Sequence, residues 1–445
     1  MRKGLSKVVV WLVVAVVVRE ATAAAAADNA HSGGLTANLA KWLTNRETPS
    51  KISTKVVQDV FPGMGFGLKA EERIPANETI MEVPASALIS LKTASEGRLR
   101  PVVEDLVRNN CSSNSVLALH LLHERALGEE SAFQPYIESL PKTFDLPLVW
   151  SMAELGELNG TQLLPKVIQQ KQALQAEFAQ IVLPTLQSLQ HAELVKDFGV
   201  DIQGFLWASC CILSRAFIVQ TDEGVNLPLL IPGVDLFNSG QPGSRLEIDN
   251  TKGVVSVVSD QDLEEGEQVY LFLGNEPNFG YMLTQGFSLV NNPEDFVELH
   301  VSSDPSDPFV ETKRRILQYL DVAQRETFIL KRQGKIPQDL FASLRVHMMK
   351  PSEFDNFRAL ESGKPLNLQN ELQVFREVML TCQKSLQAFP TSVKEDDELL
   401  LKPGGLERRA AYAILYRRGE KLVYIEAMHA ISEMWNRFLF AGNSL

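Results

Sequence analysis

Few residues that could do chemistry gather locally in this 445-residue chain. The four cysteines, Cys111, Cys210, Cys211 and Cys382, show no C-x-x-C spacing, and the adjacent pair lies in an apolar run. Neither a zinc cluster nor a disulfide framework is indicated. His120 and His123 stand one helical turn apart, yet no third or fourth ligand candidate accompanies them, so they read as core or surface histidines and no metal is expected. What remains is three separated clusters of glycine, amide and charged residues. The first runs Gly65-Phe66-Gly67-Leu68-Lys69-Ala70, then Arg73-Ile74-Pro75 and Ile80-Met81-Glu82-Val83-Pro84. The second holds Trp207-Ala208-Ser209, Ser214-Arg215-Ala216-Phe217 and Ile231-Pro232-Gly233-Val234-Asp235-Leu236-Phe237-Asn238. The third holds Gly266-Glu267-Gln268-Val269-Tyr270, Gly274, Asn278, Gly286-Phe287 and Asn291-Asn292-Pro293. A Gly-x-Gly lets backbone approach a bound molecule without a Cβ in the way, but taken alone it equally makes a tight turn between strands.

The elements that must position these clusters follow from periodicity. A short helix is predicted around Leu39 to Leu43. After Lys55 come short β-like runs, Val56-Val57, Gly67 to Ala70 and Thr79 to Val83, separated by Gly, Pro and Asn. Helical spacing takes over from Pro101 to about Phe217, with long stretches at 116–126 and 167–189, the latter interrupted by Pro184. Strand signals return at Leu229-Leu230-Ile231, at 254–258 and at 268–273. Helices are expected again over 313–324, 366–389 and 406–438, with loops at Lys350-Pro351 and Pro403-Gly404-Gly405. Strand-rich segments thus flank a helical one, and the chain ends in helices.

Taken jointly and in order, the three clusters resemble the SET-domain methyltransferases that include the Rubisco large-subunit lysine methyltransferase and the actin-histidine methyltransferase. The likeness continues through Phe133-Gln134-Pro135-Tyr136-Ile137 and Leu140-Pro141, and through residues 408–422; it covers nearly everything from about Lys55 onward. It implies an α+β protein in which a SET β-fold is interrupted by a helical insert and followed by an all-helical C-terminal domain that positions a protein substrate. The corresponding division is a signal peptide at 1–23, a linker and short helix at 24–50, a SET domain at 51–295 with its insert at about 97–217, and a substrate-binding domain at 296–445.

The resemblance also implies the reaction. A methyl group passes from S-adenosylmethionine to a neutral amine of lysine, with histidine imidazole as the lesser alternative. Catalysis of that kind rests on alignment, desolvation and electrostatics. By the same resemblance, Gly65 and Gly67 would approach the cofactor, with Leu68 and Lys69 at its methionine end. Arg215 would lie at the cofactor pocket. Asp235 and Asn238 match the family's D-x-x-N-H, with Ser239 in place of the histidine. Phe287 would stack on the adenine or line the channel, or else pack in the core. Gln285 stands where the family has an aromatic residue or serine.

The larger departure is Leu273, which occupies the position of the family tyrosine before Gly274, so no catalytic residue is assigned with certainty. Tyr270 is no simple substitute, because strand residues three apart face opposite ways. Tyr281 or a backbone carbonyl would take over part of the missing hydroxyl's work. The alternative is a catalytically impaired pseudoenzyme that binds cofactor or a partner protein.

Composition bounds the partners. With 45% hydrophobic and 22% charged residues the chain is an ordinary globular protein, and its net charge of −12 argues against nucleic acid, which requires a surplus of Lys and Arg. A protein substrate with an exposed lysine or histidine is expected, and the chain is expected to be a monomer. Arg2, Lys3 and Lys7 precede eleven apolar residues, 8–18, and Ala21-Thr22-Ala23 offers a cleavage site. A bilayer span takes about 20 residues, so a signal peptide is expected rather than a stable membrane anchor. It would direct the chain into the secretory pathway, to be secreted, held in an endomembrane lumen or passed to a complex plastid. The sequons Asn77-Glu78-Thr79, Asn110-Cys111-Ser112 and Asn159-Gly160-Thr161 would matter only on that route.

Overall fold

A computed structural model describes residues 37–61, 64–188, 190–191, 198–220, 224–322, 326–402 and 405–440. The expected signal peptide and residues 24–36 lie outside these residues. The short N-terminal helix forms over Ala37–Thr44 and buries Leu39 and Leu43. Among the described residues no helix is long and apolar enough to cross a membrane.

The architecture is α+β, as the sequence led us to expect. Seven strands form the main sheet in the order β1 (Lys51–Ile52), β4 (Thr79–Pro84), β9 (Val254–Val258), β8 (Asn238–Asp249), β10 (Gln268–Leu271), β3 (Gly65–Ala70) and β2 (Val56–Phe61). Strands from before and after the helical insert therefore interleave in one sheet. The β8–β10 pair is parallel, whereas the other pairs are antiparallel. Leu68, Ile80, Met81, Val83, Val257 and Val269 fill the core of this module. A second sheet, β5 (Ile89–Ser90), β7 (Asn226–Leu230) and β6 (Phe217–Gln220), borders the insert.

The insert is built around two helices, Ser113–Leu127 and Ile202–Arg215, whose apolar faces share one core through Leu117, Leu121, Phe205 and Ala208. Their first turns are capped by Ser112, which accepts from Ser115 N at 3.2 Å, and by Asp201, which accepts from Gly204 N at 2.7 Å. The interruption expected at Pro184 appears as a π-helical turn, Phe178–Val182, between the helices Leu163–Glu177 and Leu183–Gln187. A proline without an N–H breaks the regular ladder at that point.

The C-terminal region departs from the all-helical expectation. It contains a two-stranded antiparallel ribbon, β11 (Phe296–His300) with β12 (Thr327–Lys331), covered by the helices Leu368–Gln387 and Arg408–Phe440. The sequence Thr-Phe-Ile-Leu-Lys buries Phe328 and Leu330 and exposes the residues between them, which is a strand's period of two in a run too short to stand out. Just after the break expected at Lys350-Pro351, residues 351–362 form a 3-10 helix.

Candidate active site

Neighbouring strands crowd closely around Gly67. Strand β3 carries this glycine beside β10, where Lys69 is paired with Gln268, and β10 in turn lies parallel to β8, where Tyr270 is paired with Asn238. A Cβ on Gly67 would stand 2.6 Å from Asn238 Nδ2 and 2.8 Å from Gln268 Nε2, so any larger residue would displace both amides. Gly240 does the same for Tyr270, whose ring would be 2.5 Å from an added Cβ. Both amide nitrogens, Asn238 Nδ2 and Gln268 Nε2, are buried and find no acceptor among the described residues. A buried unpaired donor costs about 1–3 kcal/mol. Two of them side by side can grip a carboxylate, a hydroxyl or a ring nitrogen.

One turn upstream, a buried ionic brace fixes the approach to Asn238. Arg215, at the end of its helix, donates through Nη1 to both the carbonyl and Oδ2 of Asp235, each at 3.1 Å. Tyr136 donates its hydroxyl to the same Oδ2 at 2.9 Å, and Gly233 N donates to Oδ1 at 3.2 Å. Burial works against the Arg215 charge, but the Asp235 carboxylate outweighs it and raises the guanidinium pKa. Burial also pushes the Tyr136 hydroxyl well above its ordinary value, aided by the same carboxylate. Asp235 thus holds the 3-10 turn Val234–Leu236 in place, and that turn delivers Asn238.

On the other side, Ser239 adjoins Tyr281 of the helix Asn278–Thr284. Burial and the nearby Glu276 carboxylate raise the Tyr281 hydroxyl, while the Ser239 hydroxyl acts in the opposite direction. Tyr281 stacks on Phe287 with ring centroids 4.7 Å apart, and Phe287 continues to Tyr412 at 6.4 Å. A polar strip therefore runs from Gly67 through Asn238 and Ser239 to Tyr281, backed by aromatic rings.

The residues singled out from sequence are distributed unevenly around this strip. Gly67, Asn238 and Ser239 lie in it, and Arg215 and Asp235 brace it. Phe287 reaches it through Tyr281 and packs partly on the core around Trp150 and Tyr412. Gly65 sits at the turn of the β2–β3 hairpin with φ +76°, and the space beyond it is open. Leu68 turns into the sheet core, whereas Lys69 shares the face of β3 that Gly67 presents and forms an ion pair with Asp59. Leu273 differs in its setting from the sequence reading. Strand β10 ends at Leu271, so Leu273 lies in the following loop, 51% exposed, and strand alternation no longer governs where it points.

Two participants went unassigned in the sequence. Tyr136 enters the sequence reading only within the Phe133–Ile137 stretch of the resemblance, and nothing local ties it to Asp235. Gln268 could have been found from alternation, because it shares a face of β10 with Tyr270, and both meet glycines of neighbouring strands.

Against this geometry, the model described as "SET domain" matches residues 65–272, and that described as "Rubisco LSMT substrate-binding" matches residues 304–423. The chain thus combines a SET domain with a substrate-binding domain of the Rubisco LSMT type, as the SET-domain methyltransferases of that family do. This family uses S-adenosylmethionine. The actin-histidine N-methyltransferase of Xenopus tropicalis is 29% identical over 403 residues, covering 86% of this chain and 68% of that protein. The human actin-histidine N-methyltransferase is 29% identical over 387 residues, covering 83% of this chain and 64% of its own. The chain thus spans about two thirds of the length of these relatives. Among solved structures, the SET domain of LSMT bound to MeLysine and AdoHcy superposes with a TM-score of 0.73 at 25% identity, covering 91% of this chain and 93% of that one. Rubisco LSMT bound to sinefungin and monomethyllysine gives 0.72 at 26% identity, over 89% and 91%.

Proposed function

We propose that this SET-domain chain transfers a methyl group from S-adenosylmethionine to a lysine side chain of a protein substrate. The observation that carries the reading is the pair of orphaned amide donors, Asn238 Nδ2 and Gln268 Nε2, facing each other across a glycine that a Cβ would exclude. The cofactor's carboxylate, ribose hydroxyls and adenine nitrogens are acceptors of the kind these donors lack, so the residues present fit it. When bound, it supplies an electrophilic methyl on a sulfonium. Asn238 and Gln268 would hold its acceptor groups, and Arg215 with Asp235 would keep Asn238 in position. Ser239 and Tyr281 would offer hydroxyls, and Phe287 an aromatic wall. We further propose the division at 51–295 and 296–445, and entry into the secretory pathway through residues 1–23.

Histidine as acceptor is the second reading, favoured by two observations. The relatives of similar sequence are named for actin histidine, and Leu273 supplies no hydroxyl to guide deprotonation of an amine. An imidazole with an ordinary pKa of about 6.5 is already neutral at pH 7, whereas a lysine near 10.4 must first lose its proton.

The test uses the mature full chain. Calorimetric titration with S-adenosylmethionine is expected to give one site per chain. Incubation of a cell lysate with methyl-labelled cofactor, followed by hydrolysis, is expected to yield labelled methyllysine. Labelled methylhistidine alone would replace lysine by the second reading; binding without any label would leave a cofactor-binding pseudoenzyme; and no binding at millimolar cofactor would overturn all three.

A further inference from the structure

The helix Ser113–Leu127 carries a separate polar cluster inside the core of the insert. His120 and His123 are 3% and 7% exposed. With Glu124 they take the spacing i, i+3, i+4, which places all three on one helical face. Glu124 Oε1 lies 3.9 Å from Nδ1 of His120 and 3.9 Å from Nδ1 of His123, and one ligand atom from each of the three falls within 4.8 Å of the others. The third ligand that the sequence reading found lacking is therefore the residue beside His123. It was overlooked because a carboxylate next to a histidine in sequence usually points to solvent.

Hydrogen bonds around the cluster decide which way a lone pair faces. Thr93 Oγ1 donates to the Ser90 carbonyl at 2.9 Å and lies 3.1 Å from His120 Nε2. With its own proton committed, the hydroxyl accepts from Nε2–H, so His120 Nδ1 presents its lone pair to Glu124. Ser131 Oγ donates to the other oxygen, Glu124 Oε2, at 2.6 Å and fixes the carboxylate. A lone pair and a carboxylate oxygen thus face one another in a nearly dry site walled by Phe133 and Phe198. That pairing is repulsive unless a cation lies between.

We propose that His120, His123 and Glu124 bind a divalent transition-metal ion within the helical insert. Two imidazoles and one carboxylate form a donor set suited to zinc, with the fourth position left to water. Ligands about 2.1 Å from a tetrahedral ion stand about 3.4 Å apart, so each 3.9 Å separation has to close by only ~0.5 Å. Thr93 and Ser131 are the outer partners that set the His120 tautomer and orient the carboxylate. Such burial suits a structural ion, and the cluster's bonds run to Thr93 and Ser131 rather than to the Gly67–Asn238 strip.

The experiment takes the full chain stripped with chelator and titrates it with zinc ion alone, reading calorimetric heat, bound metal by mass spectrometry, and melting temperature. The expected result is one zinc per chain, with a melting temperature raised by several degrees at saturating ion. Glu124→Gln keeps the side-chain shape and is expected to bind at least tenfold more weakly; His123→Asn serves as a second variant should the first unfold. Failure to take up zinc at millimolar concentration would overturn the site, as would undiminished binding in either variant. So would nitrogen-15 spectra that, with zinc present at pH 7, report a protonated His123 paired with Glu124.

Discussion

Two buried polar clusters of this molecule look alike in composition and differ in completeness. In the C-terminal region, Asp396 is fully buried, and each of its oxygens has a partner: Oδ1 accepts from Arg417 Nε at 2.9 Å and Thr391 Oγ1 at 2.7 Å, and Oδ2 from Lys421 Nζ at 2.6 Å. Arg417 Nη1 continues to the Glu157 carbonyl at 3.0 Å and its carboxylate at 2.7 Å, tying the long C-terminal helix to the insert. Around Gly67, by contrast, the brace Arg215–Asp235–Tyr136 is complete, but Asn238 and Gln268 each keep a donor unspent. A closed network holds domains together, whereas an unfinished one beside a missing Cβ is built for a ligand.

The comparison breaks most visibly at Asp396. Asp396→Ala leaves Arg417 and Lys421 buried without their counterion, and unfolding by denaturant is expected to register a loss of about 3–5 kcal/mol. An unchanged midpoint would mean the cluster is incidental. A second effect separates the regions by pH. Burial raises Asp295 to about 6 and Glu420, which accepts from Gln162 N and Tyr416, to about 8. Because the native state holds these protons where the unfolded chain has lost them, their stabilisation is complete below about pH 4 and gone once pH passes about 6 and about 8 respectively. The melting temperature is expected to fall between about pH 4 and 8, and Glu420→Gln to flatten the part of that fall above about pH 6; parallel curves for wild type and variant would contradict it.

Smaller effects are expected in the open cluster. Asn238→Ala removes one orphaned donor, so stability should change by less than about 1 kcal/mol while S-adenosylmethionine affinity drops at least tenfold by calorimetry. A variant that unfolds but binds normally when folded would erase the contrast between the two regions. Leu273→Tyr puts a hydroxyl at the position where the resemblance has the family tyrosine, and labelled methyl transfer to lysate is expected to rise several-fold, with no gain showing that the loop places this position away from the acceptor.

Local rules carried far into this chain. Helical period marked the insert, Pro184 marked the interruption that became its π-turn, and short β-like runs bounded by turn residues marked β2, β3, β4 and β9. They faltered where an element gets its identity from a partner. Strand β8 begins with Asn-Ser-Gly-Gln-Pro-Gly, which reads as a turn, and becomes a strand because β9 and β10 supply its hydrogen bonds. The ribbon β11–β12 escaped for the same reason.

By itself the sequence determined the α+β class, the order of strand-rich and helical segments, and the residue types of a small-molecule pocket, since these depend on neighbours within a few positions. Only the tertiary structure decided that Gln268 and Asn238 face one glycine, that Arg215 spends its charge on Asp235, that Lys69 pairs with Asp59, and that Glu124 completes a ligand set with two histidines. Those facts depend on which strands and helices meet across the fold, and hydrogen-bond partners brought together from distant positions leave no period in the chain that could announce them.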